Sequence, residues 1–270
     1  MFSDVSQIAD GGYIAVGYSG SSDGDMAGLT KATWDTSAII VKYDSNGVVV
    51  WKKCFGGTRQ DVFYAVTQTS DGAFVAVGSS LSMNYDMAGL LHGTDYMDAI
   101  SVKYDANGNI LWKQSFGGVS ADSFWDVTAD DNGGFVAVGT TDSRGGDVPI
   151  PPEDTTHHAI MVHYDSNGNR DWINMFGLNW SNGGSSIFRG VSRTPDGGFV
   201  AAGACTAGTY TNLGWAVLRK QDGIVFKYDA SGNLVWRQAF IGTAAEEFVK
   251  VSAMPKWRYR CCWNKHIKRF

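Results

Sequence analysis

Twenty-four aspartates against three glutamates (Glu153, Glu246 and Glu247) set the chemistry open to this chain. Two stretches gather them in fours: Asp23, Asp25, Asp35 and Asp61, then Asp86, Asp95, Asp98 and Asp122. Hard carboxylate oxygens on polar loops suit Ca²⁺, which takes about six to eight of them. Asp23, Asp25, Asp61, Asp86, Asp98 and Asp122 are therefore candidate ligands, and calcium is the candidate cofactor. The competing reading, and the preferred one, is that Asp caps turns by bonding its own backbone. The tracts that begin Asp44-Ser45-Asn46-Gly47 look like the start of a calcium loop, but none has Glu at the twelfth position, so they read as hairpin turns.

Signs of catalysis are sparse. Gly20-Ser21-Ser22-Asp23-Gly24 spells a nucleophile-elbow pattern, yet that motif needs a strand-to-helix turn, and this stretch is a polar loop with no helix after it. His157-His158 could bind a metal, but the equivalent repeat positions hold Ser37 and Asp98 where His158 stands, which reads as ordinary loop variation. A paired-carboxylate glycosidase needs two placed acids, and with so few Glu no acid is nominated. Cys54 and Cys205 are isolated and Cys261-Cys262 lie in a divergent tail, giving neither a disulfide framework nor a zinc spacing. No catalytic residue is nominated, so a non-catalytic role is preferred and an enzymatic one stays open.

Charge and composition narrow the partners. The 270 residues carry a formal charge of -5. Six Lys/Arg and no acid fall in residues 256–270, which leaves sixteen basic against twenty-seven acidic residues, or -11, in residues 1–255. An acidic body disfavours nucleic acid. No run of about 18 apolar residues is present, so no membrane span is expected. Met1-Phe2-Ser3-Asp4 opens straight into strand-like sequence, so no signal peptide is expected either. Abundant Gly and Asp with scarce Glu favour turns over helices.

The elements that would position these residues come from a repeat. Gly12-Tyr13-Ile14-Ala15-Val16-Gly17 recurs from Ala73, Gly134 and Gly198, and a second tract runs from Tyr43, Tyr104, Tyr164 and Tyr228 to Trp51, Trp112, Trp172 and Trp236. Each unit of about 61 residues predicts four strands, A to D. Strand A carries Phe-x-x-Val (Phe63/Val66), and an Asp-Gly hairpin joins it to the apolar strand B. In strand C, Ile100, Val102 and Tyr104 point one way and Ser101 and Lys103 the other; strand D carries the Trp. A four-stranded antiparallel unit at fixed period predicts an all-β chain of β-propeller blades. A β-helix, the structural competitor, has shorter coils and lacks two hairpins per repeat.

The units are placed at about residues 1–57, 58–118, 119–178 and 179–242, with a fifth begun at 243–252 and a basic tail at 253–270 that matches no repeat. The expectation is a truncated or open propeller whose tail is a misassembled end; the alternative for the tail is a basic arm for nucleic acid or anionic lipid. If strand A runs up, the B-to-C and D-to-A loops share one face, and long loops on a rigid scaffold carry function.

The tract Val41-Lys42-Tyr43-Asp44 to Trp51, with Gly24-Asp25-Met26-Ala27-Gly28 and Tyr85-Asp86-Met87-Ala88-Gly89, resembles the unit of a family of bacterial secreted and cell-surface repeat proteins. The third copy keeps Gly146-Asp147-Val148, and the fourth, at Ala207-Gly208-Thr209-Tyr210, has lost the motif. The resemblance covers residues 1–252. More distantly the repeat is similar to quinoprotein-dehydrogenase propellers, whose Trp residues lock blades together, which implies a structural role for Trp51, Trp112, Trp172 and Trp236. The resemblance implies an extracellular or cell-surface scaffold for a protein or glycan. The alternative it carries is the propeller portion of an endoglucanase-like enzyme.

Overall fold

In the computed structural model, residues 1–29, 35–93, 95–149, 157–177, 184–206, 221–242, 244–254, 258–263 and 267–269 are described. The first blade comprises β1 (Phe2–Gln7), β2 (Tyr13–Ser19), β3 (Ser37–Tyr43) and β4 (Val49–Phe55). The second comprises β5 (Asp61–Gln68), β6 (Phe74–Ser80), β7 (Asp98–Tyr104) and β8 (Ile110–Phe116). Next come β9 (Asp122–Ala129), β10 (Phe135–Thr141), β11 (His158–Tyr164) and β12 (Arg170–Phe176). The fourth holds β13 (Ser185–Arg193), β14 (Phe199–Thr206), β15 (Gln221–Tyr228) and β16 (Leu234–Phe240). Each forms a four-stranded sheet in sequence order, so the A–D assignment holds and the chain is all-β, built of β-propeller blades. Last come β17 (Phe248–Met254), β18 (Arg258–Trp263) and β19 (Ile267–Arg269), a three-stranded sheet formed in large part by the basic tail.

The chain divides into two compact units, residues 1–129 with 143–150, and residues 130–142 with 151–270. In the first, one core holds Ile14, Val16, Ile40 and Phe55 of the first blade with Phe63, Val66, Phe74, Ile100 and Tyr104 of the second. Phe55 and Phe63 stack at 5.6 Å. In the second unit, Phe176, Phe188 and Phe226 form the corresponding centre. A lone sheet has no interior. Burying such side chains at about 1.5–3 kcal/mol each is what stabilises one blade on the next.

The Phe-x-x-Val spacing of strand A gains a physical explanation from the register. Phe63 pairs with Gly78 and Ala65 with Val77, so Tyr64 is an extra, bulged residue. A three-residue step would put Phe63 and Val66 on opposite faces of a regular strand; the bulge turns both inward, and both are buried. The same bulge follows Phe2, Phe188 and Phe248. It also dictates the glycine that ends the strand B motif. A Cβ on Gly78 would lie 1.9 Å from the Val62 carbonyl oxygen, and one on Gly203 would lie 1.9 Å from that of Ile187. In the fifth sheet Trp263 takes this register position, opposite Phe248.

Strand C is covered on both sides, so Ser101 and Lys103 are buried as fully as Ile100 and Val102. The Lys103 ammonium is neutralised by Asp71 of the A–B hairpin, 2.7 Å away.

Candidate binding face

Strand ends place the B–C and D–A loops on one face of each blade and the tight hairpins on the other. Neighbouring blades are stitched where strand C of one begins beside strand A of the next. Asp61 N–H donates to the Thr36 carbonyl at 2.8 Å, Asp122 to Met97 at 2.7 Å, Ser186 to His157 at 3.0 Å and Glu246 to Gln221 at 2.8 Å.

Asp61 sits at the first of these stitches, fully buried. Its Oδ2 accepts from Gly57 N–H at 2.8 Å and from the Ser82 hydroxyl at 2.8 Å, and its Oδ1 accepts from the Ser80 hydroxyl. Burial pushes its carboxyl above the ordinary range against these donors, and the nearby Asp86 charge adds to the rise. Asp122 repeats the knot one blade on, accepting from Gly118 N–H at 3.2 Å and the Ser143 hydroxyl at 2.6 Å. Both aspartates thus tie the Phe-Gly-Gly loop to the end of strand B.

The Gly-Asp-Met motif has a partner in the same loop. Asp86 N–H donates to the Gly56 carbonyl at 3.2 Å, and Gly56 N–H donates back to Asp86 Oδ2 at 3.1 Å. Asp147 N–H donates to Gly117 at 2.9 Å, with the return bond from Gly117 N–H at 3.4 Å. In the second and third blades the B–C loop is thus clamped to the D–A loop that precedes the blade. Met87 drives the clamp into the core, where it is fully buried.

Of the remaining calcium candidates, Asp23 and Asp25 stand exposed, as do Asp35 and Asp95. Asp25 meets Lys52 at 3.7 Å. Asp98 and Asp122 do come together, since a Cβ on Gly117 would touch both carboxyls. Asp98 is 1% exposed, and burial raises its carboxyl, a rise that Asp147 reinforces and His92 opposes. Among the described residues no three His, Cys, Asp or Glu side chains converge to hold a metal ion. Both Asp61 oxygens are already occupied by backbone and hydroxyl donors, which does not suit a calcium ligand.

His92 was not singled out by sequence reasoning. Its Nδ1 lies 2.9 Å from Asp98 Oδ2 and its Nε2 3.2 Å from Asp147 Oδ2, so both ring nitrogens face carboxylates. A lone loop histidine gives no such signal in the sequence. His157 meets Asp142, while His158 is buried with its ring against Gly177, so the adjacent pair serves two separate environments. Ser21 is exposed on a loop that continues into a three-residue 3-10 turn, Gly24–Met26, and not into a helix. Glu153 and residues 207–210 lie outside the described residues.

Trp51 and Trp172 of the strand D tryptophans lean on the next blade's C–D turn. Trp51 Nε1–H donates to the Ala106 carbonyl at 3.0 Å, beneath Gly108. Trp172 packs beneath Gly232 and stacks on His163 at 5.3 Å. Trp112 is half-buried and Trp236 exposed.

One side chain on the loop face departs from its repeat. Tyr85 has φ 52°, the left-handed region, where the first and third blades use Gly24 at 53° and Gly146 at 64°. It is 62% exposed.

No protein-family model matches the chain, and no curated protein sequence matches it. Among solved structures, the chain is similar to a protein of unknown function from Bacteroides caccae at 9% identity, over 88% of this chain and 81% of that one, with a TM-score of 0.39. Sqt1 from Chaetomium thermophilum matches at 12% identity over 100% and 81%, TM-score 0.36. YCF48 bound to D1 peptide matches at 12% identity over 99% and 62%, TM-score 0.41.

Proposed function

We propose that this chain is a non-catalytic binding scaffold that recognises a protein or a glycan through the B–C and D–A loops of one face, as part of an extracellular or cell-surface protein. The observation that carries this reading is the reciprocal clamp between Gly56 and Asp86, repeated between Gly117 and Asp147. It fixes long loops to one another, and pre-ordered loops lose little entropy when a ligand arrives. The likeness of the repeat to bacterial secreted and surface proteins supports the placement outside the cell.

The alternative, an endoglucanase-like activity, finds little support in the side chains. The carboxyl pair Asp98 and Asp122 is buried beneath the loops, where no sugar ring could reach it. His92 offers no free basic nitrogen, since both face carboxylates. Peptide and glycan arrays probed with the purified chain, alongside a reducing-sugar assay on β-glucans, test the reading. Binding without turnover is expected. Val119→Arg, in an exposed D–A loop, should weaken that binding, whereas Asn46→Arg, in a hairpin of the opposite face, should not. Glucan hydrolysis, or the reverse pattern of variants, would overturn it.

A further inference from the structure

Tyr85 occupies a backbone conformation that an L side chain adopts only at an energetic cost, and the equivalent positions of the first and third blades meet that geometry with glycine. Strain of this kind persists where surrounding structure over-determines it, and it clusters at ligand clamps. Here the surroundings do so on both sides. Asn84 Oδ1 accepts from Thr58 N–H at 3.0 Å, and its Nδ2 donates to the Thr58 hydroxyl at 3.1 Å. Asp86 is clamped to Gly56, and Met87 is locked in the core. Tyr85 itself contributes nothing to that packing, because its ring points to solvent at 62% exposure beside Met83 at 49%. The second blade accepts the strain and gains only an outward-held phenol ring.

We propose that Tyr85, with Met83, is the anchor of the binding face, and that its partner is a protein segment presenting an apolar side chain flanked by lysine or arginine. This rests on the scaffold reading above. Protein over glycan follows from what surrounds the ring. The polar groups that would bond a sugar's hydroxyls, the Asn84 amide and the Thr58 hydroxyl, are spent on each other, whereas apolar side chains stand exposed at Met83 and, on the same face, at Tyr96 and Val119. Tyr and Met are enriched at protein interfaces. The basic flank follows from charge. Asp23, Asp25, Asp35 and Asp95 are all exposed on B–C loops, and the repeat body carries sixteen basic against twenty-seven acidic residues. Complementary charge of this kind steers association.

The test uses the whole chain, its Tyr85→Gly and Tyr85→Asn variants, and an array of twelve-residue peptides with Leu, Phe or Trp flanked either by Lys/Arg or by Asp/Glu, beside a glycan array. Both substitutions suit the left-handed conformation, so melting temperature should be unchanged or higher. Binding to the basic-flanked peptides should fall about tenfold or more and weaken with added salt. Equal binding by the variants, or a melting temperature several degrees lower, would overturn Tyr85 as the anchor while leaving the scaffold reading in place. Preference for acid-flanked peptides or for glycans would overturn the partner chemistry alone. Binding to neither array would overturn both.

Discussion

In the third blade His163 and Asp130 replace a lysine–aspartate pair by moving both members. The other blades join a strand C lysine to the aspartate two residues before the end of the A–B hairpin: Lys42 to Asp10 at 2.9 Å, Lys103 to Asp71 at 2.7 Å and Lys227 to Asp196 at 3.0 Å. Here the hairpin position holds Asn132, and the acid has moved back to Asp130, where Thr69 and Thr194 stand in the neighbouring copies. The shorter imidazole reaches it, Nε2 to Oδ2, at 2.9 Å. Asp130 Oδ1 accepts from Asn132 and Gly134 N–H, the two-bond pattern of the C–D turn acids Asp44, Asp105, Asp165 and Asp229. His163→Lys alone should therefore destabilise the chain by about 1 kcal/mol or more. Adding Asp130→Thr and Asn132→Asp should restore it, a coupling readable in a thermal-melt mutant cycle. Additive effects would sink the explanation.

The hairpin turns offer an internal control for the tryptophans. Gly47 and Gly232 hold the same place in the C–D turn, each at φ 81°, but a Cβ on Gly47 would meet nothing within 4 Å, whereas one on Gly232 would sit 2.7 Å from the Trp172 ring. Gly47→Ala should cost about 1 kcal/mol, the left-handed penalty alone. Gly232→Ala should cost about 1–3 kcal/mol beyond that, for overpacking. Equal losses in denaturant unfolding would mean that Trp172 does not press on the turn.

How much of this was legible beforehand divides along the repeat. Strand order, the hairpins and the inward Phe and Val were readable because each is written four times. The bulge at Tyr64 was not, although Phe-x-x-Val is odd spacing for a strand and the glycine at the end of strand B is its steric counterpart. What escaped the sequence lies where copies differ. His163 and Asn132 look like two losses until the register shows them compensating. The donors to Asp61, Ser80 at the end of β6 and Ser82 just beyond it, stand about twenty residues away, so neither the preferred turn-capping reading nor the metal-ligand candidate pointed to them. Tyr85 was hidden because a left-handed φ at a non-glycine residue has no sequence signature.

Metal removal gives a direct check on the Asp knots. Asp61 and Asp122 are bonded by Gly57, Gly118, Ser82 and Ser143, and no three His, Cys, Asp or Glu side chains converge among the described residues. Melting temperature should be the same in excess chelator and in millimolar Ca²⁺. A chelator-induced drop would reinstate calcium. Ser82→Ala, by contrast, should destabilise by about 1–3 kcal/mol, because it strips a donor from a buried carboxylate.

Acid titration separates two classes of carboxylate by sign. Asp71 and Asp196 are partly buried, which works against ionisation, but the Lys103 and Lys227 ammoniums with the Thr69 and Thr194 hydroxyls outweigh this and hold both below 3.8. Their contribution to stability is complete above the unfolded value and lost as pH falls through the folded one. Asp222 runs the other way. Burial, and then the charge of Glu246, raise it above 3.8. The folded state therefore holds that proton more tightly, and the cost of ionising it appears as pH rises from 3.8 through the folded value. Asp222→Asn keeps an oxygen for Gly242 N–H, now at 3.3 Å, and turns an amide toward Glu246. The variant should melt higher than the parent at pH 7, with the gain shrinking toward pH 4. A gain that is constant with pH, or a loss at pH 7, would show that Asp222 and Glu246 do not oppose each other's charge.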